Sequence, residues 1–181
     1  MENYWHTIPT SEKTIAEQIN AVIEIPKGSQ NKFEYDKDYG IIRLDRVLFT
    51  STHYPANYGF IPQTYADDDD PLDILVLCTQ PMVPGVLMRA RAIGVFIMVD
   101  GDSFDEKIMA VSDDDPTYKG ITHIDQLPKH IIEEMTHFFE VYKELEGKKT
   151  KVMKFKNAPE ALKVIEKCQA AYKEKFKNIK E

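Results

Sequence analysis

With 181 residues, 23 Lys and Arg against 30 Asp and Glu, and a formal charge of −7, the chain reads as one acidic globular domain covering 1–181. That length buries about 70% of the surface exposed on unfolding, so no metal or disulfide staple is needed for a core. An apolar fraction of 43% with 29% charged residues excludes collagen-like, coiled-coil and disordered chains, and the acidic balance argues against general nucleic-acid binding.

The first residues, Met1 to Thr7, lack the basic and apolar regions of a secretory signal. Ile19 to Ile25 alternates, so an extended chain places residues 19, 21, 23 and 25 on one face and Glu24 on the other, ending at Pro26 and Gly28. Lys32 to Asp36 is a second strand, with Lys32 and Glu34 on one face and Phe33 and Tyr35 on the other. Ile41 to Phe49, Ile74 to Cys78, Val86 to Val99 and Lys107 to Val111 complete a set of about six strands. The stretch Tyr54-Pro-Ala-Asn-Tyr58-Gly reads as a bent loop. The longest apolar run, Ala92 to Val99, is too short to cross a bilayer, so no membrane partner is expected. Cys78 and Cys168 form neither a disulfide framework nor a paired metal motif, which fits a reducing cytoplasm.

After Leu127-Pro128 the period becomes helical: Ile131, Met135, Phe138, Tyr142 and Leu145 share one stripe, and Gly147 is the expected stop. A last helix begins near Asn157-Ala-Pro159 and carries Leu162, Ile165, Cys168, Tyr172, Phe176 and Ile179, with a lysine-rich opposite face. Strands followed by helices without a linker point to an α+β fold, mainly β, with a small closed sheet flanked by two C-terminal helices.

The densest chemical signal is Asp67-Asp-Asp-Asp70 with Asp73, at the entrance to the strand Ile74 to Cys78. A calcium loop counted from Asp68 fails, because Asp73 falls where Gly is required and Thr79 where the closing Glu belongs. Hard oxygen ligands still suit Mg²⁺, Mn²⁺ or Ca²⁺, although an isolated acidic run also fits a solvated turn. A second acidic group, Asp100 to Lys107, lies at a hairpin turn, while Asp113 to Asp115 reads as a plain acidic turn without chemistry. Lys32, Arg46, Tyr54, Tyr58, Tyr142 and Lys143 supply cations and phenols; singly each fits a surface or core residue, and together with the carboxylates they make a metal-phosphate site. The zinc-protease, serine-hydrolase, phosphate-loop and dinucleotide motifs are absent, so covalent catalysis is not expected.

Asp68-Asp-Asp70-Pro-Leu-Asp73 resembles the Asp-x-Asp-Pro-x-Asp signature of family I soluble inorganic pyrophosphatases. Ile23-Glu24-Ile-Pro, Lys32-Phe-Glu34-Tyr, Asp45-Arg46, Tyr54-Pro-x-Asn-Tyr58-Gly, the Asp100/Asp105/Lys107 group and His137-Phe-Phe-x-x-Tyr142-Lys143 follow that family's motifs in order, from about Ala21 to Lys143. The length is similar to the short prokaryotic members. The resemblance implies an OB-fold-like closed β-barrel that hydrolyses pyrophosphate, with Asp70 as general base. It implies Mg²⁺ as the cofactor, three to four ions with substrate and Mn²⁺ or Zn²⁺ as substitutes, held by Asp68, Asp73, Asp100, Asp105 and, through water, Glu24. It further implies phosphate binding by Lys32, Arg46, Tyr58, Lys107, Tyr142 and Lys143, support from Glu34 and Tyr54, and a cytoplasmic homo-oligomer, a hexamer. Asp69 stands where the family often has Gly and is expected to point outward, and Gly101 replaces an acidic residue.

Two other readings stay open on the residues themselves. An OB-type binding module requires a basic groove with aromatic platforms. A divalent-cation buffer requires the carboxylates but not Lys32, Arg46, Tyr142 or Lys143.

Overall fold

Apolar alternation in Ile19–Ile25 does produce a strand with those bounds, β1. The computed structural model, which describes residues 3–101 and 103–177, continues with β2 (Asn31–Asp36), β3 (Ile41–Val47), β4 (Asn57–Phe60), β5 (Asp73–Leu77), β6 (Leu87–Asp100), β7 (Ser103–Ser112) and β8 (Thr150–Asn157). The helices are α1 (Tyr4–Thr7), α2 (Lys129–Val141) and α3 (Ala158–Lys175).

The main sheet closes on itself. β1 lies antiparallel to β4, β4 to β5, β7 to β6 and β6 back to β1, while β5 and β7 run parallel. These pairings make a five-stranded ring of the OB-fold-like kind. β8 adds an outer strand against β6, and β2 and β3 form a separate hairpin. At the junction of β1 and β4 a Cβ on Gly59 would stand 1.9 Å from the Val22 carbonyl oxygen, so the two backbones meet there only because Gly59 has no side chain.

The inner cluster contains Ile19, Ala21, Ile23, Ile74 and Val76, covered by Ala161, Ile165 and Cys168 of α3. A second cluster packs Leu75, Phe96 and Met98 against Met135, Phe138 and Phe139 of α2. Each buried phenylalanine contributes about 2–3 kcal/mol. Strands of the ring are therefore covered on both sides. β1 corrects the one-sided expectation, because Asn20 and Val22 are buried as fully as their neighbours. Val22 packs outward against Trp5, Tyr35 and Phe60.

Several expected elements shift. β4 and β8 were not expected; β4 is short and β8 carries lysines at 151, 154 and 156 along a half-exposed edge. α2 ends at Val141, and the chain continues in a 3-10 turn, Glu144–Glu146, which Gly147 closes at φ +73°. Leu145, on that turn, is exposed rather than part of the buried stripe. The third acidic run is also more than a plain turn. Asp115 is buried and accepts from the Thr79 and Thr117 amides at 2.7 and 2.9 Å, while Asp113 and Asp114 pair with Arg91 and Arg89. Ile179 and Asp102 lie outside the described residues. Among the described residues no helix is long and apolar enough to cross a membrane.

Candidate active site

The ring and the β2–β3 hairpin leave a cleft of about 580 Å³ between them. Glu24 reaches it from β1, Lys32 and Glu34 from β2, Tyr58 from β4, and Asp73 from the first position of β5. Asp68 and Asp70 come from the loop before β5. Asp100 ends β6, and Asp105 and Lys107 stand two residues apart on β7, hence on one face. Tyr142 and Lys143 enter where α2 ends.

The site carboxylates are held by the cations and amides around them. Lys107, 4% exposed at its side chain, bonds Asp73 and lies 2.8 Å from Asp105 Oδ2. Its Nζ is 3.1 Å from the Tyr58 hydroxyl, which itself donates to Asp73. Lys143 bonds Asp100, and Lys37 bonds Asp70. Asp68 accepts from the Asp70 amide at 3.3 Å, and Glu24 from the Tyr35 amide at 2.7 Å. Lys32 bonds Glu34 and is 3.3 Å from Asp45.

The electrostatics follow from burial and these contacts. Burial pushes the Glu24 carboxyl up to about 8, against the Tyr35 amide and with help from the Asp73 charge. Burial also raises the Tyr58 phenol, and Asp73 raises it further. For Lys107 burial acts downward, yet Asp73, Tyr58 and Asp105 outweigh it and hold the ammonium firmly protonated. Loss of water and the Asp73 charge raise Asp68. Both carboxyls keep their protons more easily chiefly because they are taken out of water, with the neighbouring Asp73 charge adding to it.

Arg46 and Tyr54 do not line this cleft. Arg46 sits beside it, donating to Glu146 at 2.8 Å and Asp45 at 2.5 Å, and its Nη2 is buried with no hydrogen-bond partner among the described residues. Tyr54 is buried behind Tyr58, with ring centroids 5.5 Å apart in a T-shaped pair. The other twelve anticipated side chains come together. The cleft also holds Asp36, Lys37 and Arg43, which sequence reasoning did not single out. Only their place at the hairpin end marks them, because Asp36 pairs with Arg43 at 2.9 Å across the two strands.

Among the described residues no three His, Cys, Asp or Glu side chains are gathered as a ready metal-ligand set. Nine carboxylates nevertheless share one cleft, all hard oxygen donors, and those of Asp73 and Asp105 meet the same ammonium. This donor chemistry fits Mg²⁺ or a similar divalent cation.

Residues 21–173 match the family model described as inorganic pyrophosphatase. The chain is 51% identical over 164 residues to an inorganic pyrophosphatase of Aquifex pyrophilus, covering 89% of this chain and 93% of that protein. It is 50% identical over 155 residues to one from Halalkalibacterium halodurans, covering 86% and 95%. The crystal structure of inorganic pyrophosphatase from Thermus thermophilus superposes with a TM-score of 0.91 at 42% identity, covering 95% of this chain and 99% of that one.

Proposed function

This chain belongs to the inorganic pyrophosphatase family, and on that premise we propose that it cleaves pyrophosphate into two orthophosphates in the cleft described above. One observation carries the reading: nine carboxylates line a single cleft together with ammonium and phenol groups. Asp68, Asp73, Asp100 and Asp105 would hold Mg²⁺, with Glu24 acting through water. The bound cations supply charge neutralisation of pyrophosphate and acidify a nearby water.

The chain's own residues do the rest. Asp70 accepts the proton of the attacking water as its oxygen bonds to one phosphorus and the bridging P–O bond breaks. Lys107 and Lys143, with the phenols of Tyr58 and Tyr142, donate to phosphate oxygens as charge spreads. Lys32 binds from the hairpin side, and Arg46, beside the cleft with an Nη2 that has no partner among the described residues, would join it by turning its guanidinium toward the substrate. Glu34 orients Lys32, and Tyr54 supports the Tyr58 ring. Family membership and the ring fold support one catalytic domain over 1–181, with Mg²⁺ as the metal, three to four ions with substrate, and Mn²⁺ or Zn²⁺ as substitutes. They likewise support a cytoplasmic homo-oligomer, a hexamer, which binds neither nucleic acid nor membrane.

Replacing the cations tests the reading against a cation buffer. Arg46→Met and Lys143→Met are expected to cut orthophosphate release about a hundredfold while calorimetry finds Mg²⁺ affinity within a few-fold of the original. Unchanged release in both variants would overturn the phosphate-binding assignment.

A further inference from the structure

Among the described residues the Asp70 side chain has one charged partner, and that partner is itself held by a segment outside the family match. Lys37, at the tip of the β2–β3 hairpin, bonds Asp70 Oδ1. The same ammonium lies 4.9 Å from the centroid of the Trp5 ring, a cation–π distance. Among the described residues Asp70 Oδ2 takes no side-chain hydrogen bond, so one carboxylate oxygen is restrained and the other is free to accept a proton. Asp70 is otherwise anchored only through its backbone, its carbonyl accepting from the Ala66 amide at 2.8 Å and its amide donating to Asp68.

A lysine on an exposed hairpin tip ordinarily samples many rotamers. Here Trp5 limits that freedom and is itself fixed. The ring is buried, its Nε1 donates to the Thr64 carbonyl at 2.7 Å, and Phe176 meets it edge-on at 5.2 Å. Asn3 caps α1 through the Trp5 amide at 3.0 Å and reaches the Lys37 carbonyl at 3.4 Å. The Tyr4 amide donates to the Tyr35 hydroxyl at 2.9 Å, and their rings stack, which ties α1 to β2. Trp5 precedes residues 21–173, so this brace is a feature of the chain beyond the matched region.

We propose that Lys37, clamped between the Trp5 ring and Asp70, is a positioning residue that holds the Asp70 carboxylate in its productive orientation. The inference rests on the reading of Asp70 as the base. Because Trp5 is the chain's only tryptophan, its emission also reports on the clamp without metal or turnover.

Two measurements on the full chain test it. Lys37→Met is expected to lower kcat about tenfold with KM for pyrophosphate within about twofold, and Lys37→Arg to restore most of the loss. In an Asp70→Asn background, Lys37→Met should add no further loss. With excess chelator, Trp5 emission should differ between the original protein and Asp70→Asn, and that difference should vanish once Lys37 is Met. A rise in KM without a fall in kcat, an additive loss in the double variant, or Trp5 emission indifferent to Asp70 would overturn the proposal. Should Asp70→Asn itself retain turnover, the base reading falls, and the chelated emission comparison alone decides whether Lys37 links Trp5 to Asp70.

Discussion

Lys107 and Asp105 face the cleft from alternate positions of one strand, with the ammonium 2.8 Å from the carboxylate. The same ammonium bonds Asp73 on the neighbouring β5, so one buried cation holds two carboxylates that would otherwise repel each other. Lys107 therefore has a structural and a chemical part. Lys107→Met in chelated protein is expected to lose about 3 kcal/mol, because two partly buried carboxylates lose the cation they share. Mg²⁺ should recover part of that loss while turnover stays low. Urea unfolding with and without Mg²⁺ measures this, and equal stability in chelator would contradict it.

Asp70→Asn removes the proposed proton acceptor while leaving its size unchanged. Half-exposed in its loop, Asp70 holds nothing in the core together. Turnover should drop about a thousandfold with an unchanged unfolding midpoint. Near-normal orthophosphate release would take Asp70 out of the role.

Asp115 predicts an acid dependence of stability. The Thr79 amide, 2.7 Å away, is the main cause that holds its carboxyl far below the usual range; burial opposes this, and the Thr117 amide and Cys78 thiol add to it. A carboxyl more acidic folded than unfolded stabilises fully above its unfolded value, about pH 4, and loses that contribution as pH falls further. Asp115→Asn should therefore unfold at lower urea than the original protein at pH 7, and the gap should narrow steadily as pH falls below about 4. A gap independent of pH would show that the carboxylate charge is irrelevant.

Gly59→Ala places a methyl 1.9 Å from the Val22 carbonyl oxygen and 2.8 Å from the Ile23 Cα, both backbone atoms of the ring. Neither can turn aside as a side chain would, so the substitution should cost about 3 kcal/mol or more. Thermal unfolding tests it, and an unchanged midpoint would mean that β1 and β4 separate easily.

Much of this was legible in the residues. The bounds of β1 follow from the apolar residues at 19, 21, 23 and 25 and the Pro26 after them, and Asn157 followed by Pro159 marks the start of α3. Asp69 takes φ +68°, in the left-handed region that favours glycine, which explains physically why Gly suits its position. Its exposed carboxylate accepts from Tyr65, away from the ring of site residues, as expected of an outward-pointing side chain. The pairing of β1 with β6, which closes the ring, joins residues about seventy positions apart and leaves no local trace. β4 was hidden because four residues that include Gly59 and closely follow Pro55 look like a bend. Lys37 was missed for a similar reason: its contacts with Trp5 and Asp70 span 32 and 33 positions and exist only in space.

The central claim is tested most directly by orthophosphate release from pyrophosphate at pH 7 to 9 in millimolar Mg²⁺, against the same assay with excess chelator. The carboxylate cleft predicts rapid release that chelator abolishes and Mg²⁺ restores. Folded protein that releases no orthophosphate in Mg²⁺, or that releases it equally well in chelator, would contradict the account.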